Sequence, residues 1–179
     1  MVDVNKALQL AATHKPMPPL IQTPWLTVKP NDAAQAAIPD VGSQATSSSA
    51  NVNESITVEA VQVRLNLDHE RLPDLLIELV SPSGTRSVLL NPYNSIVEQS
   101  TYVNPITAKG FRNFRLLSNK FYGEKSNGEW KLLITDVSNQ KQEIRHVNRV
   151  FNFDIARFEL KNNTKDGQLI DWSIKVFGH

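Results

Sequence analysis

The sequence contains no cysteine, and this absence removes three kinds of site. A chain without cysteine holds no disulfide scaffold, no thiol nucleophile and no cysteine-ligated metal. The sequence also has no apolar run close to the roughly 18 residues that a membrane-spanning helix needs. Its first residues do not form a basic region followed by an apolar one, so if the parent protein is exported we expect its signal to lie outside this chain, and we expect no membrane partner.

An excess of charge of either sign is missing as well. Nineteen lysines and arginines face 18 aspartates and glutamates, which leaves a formal net charge of +1. This balance gives no electrostatic reason to expect nucleic acid or an anionic membrane as a partner. Because 40% of the 179 residues are hydrophobic, the chain is expected to fold as one domain with a core and a tail.

Residues 1–13 have the pattern of a short helix. Apolar residues recur at the i, i+3, i+4 and i+7 positions: Val4, Ala7, Leu8 and Ala11. Asp3 is placed to cap the first turn. A helix of this length is not stable alone, so we expect it to dock on another surface.

Residues 14–53 have the composition of an extended linker. They hold six of the ten prolines and end in the polar run from Ser43 to Ala50. Proline blocks helices and interior strands, and a serine-rich run has little to bury. Trp25 and Leu26 are the residues of this segment expected to contact a neighbouring surface.

Residues 54–179 show the two-residue period of strands. Alternating apolar residues define the first of them: Val61, Val63, Leu65 and Leu67. Ile56 and Val58 have the opposite phase, which predicts a bulge near Ala60. Further alternating runs begin near Leu75, Trp130, Phe151 and Ile170, and the turn Ser81-Pro-Ser-Gly84 separates two of them. The pattern predicts an all-β fold, an antiparallel β-sandwich.

Four ordered blocks of this region resemble one protein family. The first is His69-Glu-Arg-Leu-Pro-Asp74-Leu-Leu-Ile-Glu-Leu-Val-Ser81-Pro-Ser-Gly84-Thr85, which leads to the pair Leu89-Leu90. The second is Asn127-Gly128-Glu-Trp130-Lys-Leu132, the third is the acidic Asp136, and the fourth runs from Gly167 to Gly178. In this order they resemble the P domain (P/Homo B domain) of the kexin- and furin-like proprotein convertases, in a bacterial member.

The resemblance implies a fold and a function. The fold is a jelly-roll-like, galactose-binding-like sandwich, with residues 54–179 as the P domain. The helix in residues 1–13 resembles the last helix of a subtilisin-like catalytic domain, with residues 14–53 as the linker. The implied function is non-catalytic: the sandwich packs on the catalytic domain of the same polypeptide and stabilises it, in a serine endopeptidase that is secreted, periplasmic or at the cell surface.

One segment departs from the family. The loop between Asp136 and the closing Gly167 is longer than usual, and residues 137–166 have the pattern of an inserted hairpin. Apolar residues concentrate in its second half: Phe151, Phe153 and Phe158. We expect this hairpin to carry a contact that is specific to this protein.

No catalytic constellation is recognisable in the sequence. Ser83 lies in a turn without the Gly-x-Ser-x-Gly surroundings of a nucleophile, and His69 is expected to bond within its loop. The subtilisin-type nucleophile motif is absent, so no catalytic residue is assigned. As an alternative, the chain is a carbohydrate- or protein-binding module of another extracellular enzyme, with Trp130 and Trp172 as a platform rather than as core residues.

Calcium is the one cofactor that the sequence raises. Asp74 and Asp136 are the candidate ligands, with Asp171 as a third carboxylate of interest, because hard oxygen ligands at strand ends suit this ion. The Asp-x-Asp-x-Asp-Gly loop of common calcium sites is missing. Aspartates also accept backbone hydrogen bonds in turns, and this second interpretation stays open at this point.

Overall fold

The polypeptide forms mainly strands over the residues that the computed structural model describes, which are 3–40, 45–93, 110–139, 142–150 and 153–179. Within these ranges the helices are α1 (Val4–Thr13) and α2 (Ala33–Ala36), and Leu72–Asp74 forms one 3₁₀ turn. The strands are β1 (Ile21–Gln22), β2 (Leu26–Val28), β3 (Ala37–Ile38), β4 (Thr46–Val52), β5 (Val58–Asp68), β6 (Leu75–Val80), β7 (Arg86–Leu90), β8 (Gly110–Ser118), β9 (Gly128–Asp136), β10 (Gln142–Val150), β11 (Phe153–Lys161) and β12 (Gly167–Gly178).

Two antiparallel sheets enclose the core. In the first sheet β12 and β5 are central, β8 lies beside β5, and the short strands β1, β2 and β3 all pair with the far edge of β12. The second sheet has the order β4-β9-β6-β7. The largest fully buried residues of the core are Trp130, Trp172 and Phe121. The alternating valines and leucines of both sheets surround them. The predicted all-β sandwich is confirmed.

The predicted bulge is present in β5. Phe177 of β12 pairs with Ala60, whereas the next residue, Gly178, pairs with Val58, so one residue of β5 is skipped. The skip changes the phase of the alternation and allows both Val58 and Val61 to face the core.

The predicted amino-terminal helix is also present, but it is entirely exposed. The Asp3 side chain accepts a hydrogen bond from the Lys6 N–H, as a helix cap does. No residue of α1 is buried. Neither α1 nor α2 is long and apolar enough to cross a membrane. Met1 and Val2 lie outside the described residues.

The predicted linker contains more sheet than its composition indicates. Strand β4, Thr46–Val52, pairs with β9 over seven residues, although the composition of this run predicts a linker with little to bury. Thr46, Ala50 and Val52 are buried while the serines between them are more exposed, and such small residues suit an edge strand. Ser43 and Gln44 lie outside the described residues.

The predicted hairpin is confirmed as a separate two-stranded sheet. Strands β10 and β11 pair antiparallel from Gln142 opposite Lys161 to Val150 opposite Phe153. The intervening Phe151 lies outside the described residues.

Candidate functional site

The fold brings Asp74 and Asp136 together at one end of the second sheet. Asp74 ends the 3₁₀ turn before β6, and Asp136 is the last residue of β9. Because Leu75 pairs with Asp136 across these strands, the two carboxyl groups become neighbours. Both are buried. Asp171, the third carboxylate, lies elsewhere on β12 and accepts a hydrogen bond of 2.7 Å from the Asn66 side chain.

Asp74 forms a buried ion pair with Arg71. The Arg71 Nε lies 2.6 Å from Oδ2 of Asp74, and a second guanidinium nitrogen lies 3.3 Å from Oδ1. Burial raises the pKa of the Asp74 carboxyl, and the bonds from Arg71 oppose this rise. Sequence reasoning missed Arg71, although its position three residues before Asp74 is the spacing of a pair within one helical turn.

His69 connects this pair to Asp136. Its Nδ1 accepts a hydrogen bond of 3.1 Å from the Arg71 backbone N–H. The proton is therefore on Nε2, which lies 3.1 Å from Oδ2 of Asp136. Asp136 also accepts bonds from the Ser138 backbone and from the Asn163 amide. The prediction that His69 bonds within its loop is confirmed, and the same ring reaches a second strand.

The loop before β12 completes this arrangement, which we call the polar clasp: His69, Arg71, Asp74, Asp136 and Asn163. Asn163 comes from that loop, and the neighbouring Thr164 bonds to the Glu70 carboxylate through both its N–H and its hydroxyl. Gly167 is needed beside them, because a Cβ there would lie only 2.3 Å from Cδ2 of His69. The polar clasp therefore ties the beginning of β6, the end of β9 and the beginning of β12 together.

The side chains of the polar clasp bond mainly to one another and to nearby backbone. Among the described residues, His69 contacts Arg71, Asp136 and Asn163, and no serine or threonine hydroxyl lies within hydrogen-bond distance of its ring. What the polar clasp does is to satisfy buried charges, which would otherwise destabilise the fold.

Calcium does not fit the polar clasp well. A calcium ion takes six to eight oxygen ligands, whereas both oxygens of Asp74 face the Arg71 cation. Across the described residues no three histidine, aspartate or glutamate side chains are grouped so that they could hold a metal. Calcium at Asp74 and Asp136 thus stays a prediction that this geometry does not favour.

The turn formed by residues 81–84 is closed by its own backbone hydrogen bond and contacts Glu124 through Ser83. The Gly84 N–H bonds to the Ser81 carbonyl, as the predicted turn requires, and Gly84 adopts a φ of +88° that favours glycine. The Ser83 hydroxyl donates to the Glu124 carboxylate. Partial burial acts to raise the pKa of Glu124, but the hydroxyls around it, from Ser81, Ser83 and Thr85, hold that pKa below its usual value.

Neither Trp130 nor Trp172 forms a platform. Both rings are fully buried, and each indole N–H has an acceptor, the Ser126 carbonyl at 2.8 Å and the Ser48 hydroxyl at 2.9 Å. Their role is core packing, which Phe121 extends with an edge-on contact to Trp130 at 5.0 Å. The alternative of a carbohydrate platform on these two residues is therefore wrong.

A surface that does suit a partner lies on the amino-terminal segment. Val4 and Leu8, on the apolar stripe of α1, are each 64% exposed. The exposure continues beyond the helix through four further apolar residues: Met17, Leu20, Ile21 and Leu26. Contiguous exposed apolar patches are typical of interaction surfaces, so this segment is a candidate for one. We call residues 4–26 the amino-terminal arm.

Comparison with known proteins identifies the sandwich. Residues 58–176 match the family model of the proprotein convertase P-domain. The chain is 51% identical to an extracellular serine protease of Aeromonas sobria, over 100% of this chain and 29% of that protease. It is 30% identical to the rat proprotein convertase subtilisin/kexin type 6, over 69% of this chain and 10% of the convertase.

The fold agrees with these matches. The crystal structure of the Aeromonas sobria serine protease superimposes with a TM-score of 0.80 over 99% of this chain and 30% of that one. The chain thus spans less than a third of the relatives that it matches, and the part that it matches is the non-catalytic P-domain region. The motifs from His69 to Gly178 indicated the correct family: the chain belongs to the proprotein convertase P-domain family.

Proposed function

We propose that the chain is the P domain of a secreted subtilisin-like serine endopeptidase, and that it packs on the catalytic domain of the same polypeptide and stabilises it. The observation that carries the proposal is that the apolar stripe of α1 is exposed, whereas the sandwich buries its apolar residues in its own core. The position of the match within longer proteases supports it.

The proposed partner surface begins with the amino-terminal arm. Burying one leucine contributes about 1.5–3 kcal/mol, so Val4 and Leu8 together would hold α1 against a neighbouring domain. In this proposal α1 belongs to the catalytic domain, as its sequence resemblance implies. In this proposal the sandwich extends further toward the amino terminus than residue 54, because β4 pairs with β9 and the short strands β1, β2 and β3 pair with β12.

The arm also connects the two parts physically. Strands β1, β2 and β3 pair with β12, so the segment that leads away from α1 is anchored on the first sheet. An anchored segment keeps the catalytic domain close to the sandwich and raises its effective concentration. A domain that binds only the folded state of its neighbour increases the stability of that state.

The test is a set of variants of the full-length protease. We expect deletion of residues 45–179 to lower both the yield of soluble protease and its melting temperature. Leu8→Asp should lower the melting temperature of the full-length protein, whereas Gln9→Asp, on the polar side of the same helix, should leave it nearly unchanged. A deletion variant with normal yield and normal melting temperature would refute the stabilising role.

A further inference from the structure

Three cationic side chains gather on the outer face of the first sheet. Alternate residues of β5 are buried in the core, which leaves Arg64 on the outward face. Strand β8 places Arg115 directly opposite Arg64, and β12 places Ser173 on the other side of it. Lys175 follows Ser173 by two residues and therefore shares this face. We call Arg64, Arg115 and Lys175 the basic row.

Trp25 holds one end of the basic row in place. The Arg64 Cζ lies 4.1 Å from the centre of the Trp25 ring, and the Lys175 Nζ lies 5.1 Å from it. Such cation–π contacts fix the orientation of a guanidinium and shield one side of it from water. The Nε of Arg64 is buried and has no hydrogen-bond partner. The fold thus orders this arginine without neutralising it.

Three other arginines differ, because each of these three contacts a carboxylate. These are Arg71 with Asp74, Arg86 with Glu78, and Arg112 with Asp68. In the described part of the chain no carboxylate lies within ion-pair distance of the basic row, and Lys175 bonds only to the Gln22 amide oxygen, at 3.4 Å. Like charges directly opposite each other on paired strands are destabilising, so Arg64 and Arg115 lack the negative group that would make their pairing favourable.

We propose that the basic row is a docking site for an acidic segment of a protein partner, with neighbouring carboxylates paired to Arg64 and Arg115. The planar guanidinium suits this ligand, because it donates two parallel hydrogen bonds to one carboxylate. The next row of the face aligns Lys175 with Gln62 and Leu117. Leu117 is 62% exposed, and it offers an apolar contact to a side chain adjacent to the acidic ones.

The charge distribution favours an acidic peptide over a nucleic acid. A phosphate backbone is bound along an extended basic surface, whereas the basic row is short and the whole chain has a net charge of +1. The proposal needs only this chain and does not rest on the proposed function in a protease.

The test measures binding of a synthetic glutamate- and leucine-rich peptide to the 179-residue chain by calorimetry at low salt. Trp25 supplies a second signal: Trp130 and Trp172 are fully buried, so a change in tryptophan fluorescence on binding is assigned to the partly buried Trp25. We expect binding that weakens as salt is added, since exposed charges are screened. The matched peptide with glutamine in place of glutamate should not bind.

Arg115→Gln should weaken the affinity of the chain for the acidic peptide by at least about tenfold, because it removes one charge-assisted pair. Arg86→Gln is the matched control: it removes an exposed arginine from the other sheet and should leave the affinity unchanged. Equal binding to Arg115→Gln and to the unchanged chain would overturn the proposal. It would also be overturned if inorganic phosphate or a DNA oligonucleotide bound as tightly as the peptide and displaced it.

Discussion

The amino-terminal arm and the sandwich differ in the exposure of their apolar side chains. In the sandwich, alternating valines and leucines from both sheets are buried around Trp130 and Trp172. In the arm, Val4, Leu8 and Leu20 are more than half exposed. The comparison teaches that one part of the chain is stabilised by its own contacts, while the other has the composition of an interface. Substitutions should therefore act on stability in the first part and on association in the second.

The largest expected effect on the sandwich comes from the polar clasp. Asp74→Asn should lower the free energy of unfolding by about 3–5 kcal/mol, because it removes the carboxylate that forms the buried ion pair with Arg71. Urea unfolding of the isolated chain measures this change. Asp68→Asn is the matched control, since the Asp68–Arg112 pair is exposed and exposed pairs contribute only about 0–1 kcal/mol. Equal effects of the two substitutions would show that the polar clasp does not stabilise the sandwich.

A smaller loss of stability is expected from Gly167→Ala. The added methyl group would meet the His69 ring and the Asp68 carbonyl, and overpacking of this kind costs about 1–3 kcal/mol. Gly84→Ala is a useful comparison, because nothing lies within 4 Å of a Cβ at that position and only the φ of +88° is unfavourable. Thermal unfolding followed by circular dichroism separates the two. An unchanged melting temperature for Gly167→Ala would mean that His69 moves without cost.

Much of the sandwich could be predicted from the sequence, because its interior strands carry large apolar residues at every second position. The alternation at Val61, Val63 and Leu65 and the change of phase before it were sufficient to place β5 and its bulge. Strand β4 was missed because small and polar residues such as Ser47 and Ser49 have little strand signal of their own. They form an edge strand only because β9 offers them a partner, and a partner distant in sequence leaves no local pattern.

The polar clasp shows the same division between local and distant contacts. Asp74 and Asp136 stood out as carboxylates at strand ends, but their partners decide what they do. Arg71 was within reach of sequence reasoning, whereas Asn163 comes from a loop 27 residues after Asp136 and reaches it through the fold alone. In the sequence, an aspartate that binds a metal cannot be distinguished from an aspartate that accepts hydrogen bonds from an arginine.

Glu124 makes the stability of the sandwich depend on pH in the acidic range. Its pKa lies below the usual 4.5, so its charged form favours the folded state, and this contribution is present above pH 4.5 and lost as the pH falls through the lowered pKa. Glu124→Gln should lower the free energy of unfolding at neutral pH by about 1 kcal/mol, the contribution of a typical hydrogen bond. The difference should disappear at a pH below the lowered pKa. A difference that grew on acidification would contradict this assignment.

The smallest effect is expected in the arm. Leu8→Asp should change the free energy of unfolding of the isolated chain by less than about 0.5 kcal/mol, because no residue of α1 is buried and the Leu8 side chain is 64% exposed. Chemical unfolding that is followed through the buried Trp130 and Trp172 reports on the sandwich and makes this measurement direct. Leu65→Ala is the opposite case, a fully buried leucine that should cost about 2–5 kcal/mol. If Leu8→Asp destabilised the isolated chain to a similar extent, α1 would have to pack on the sandwich itself, and the arm would no longer be available as a surface for a second domain.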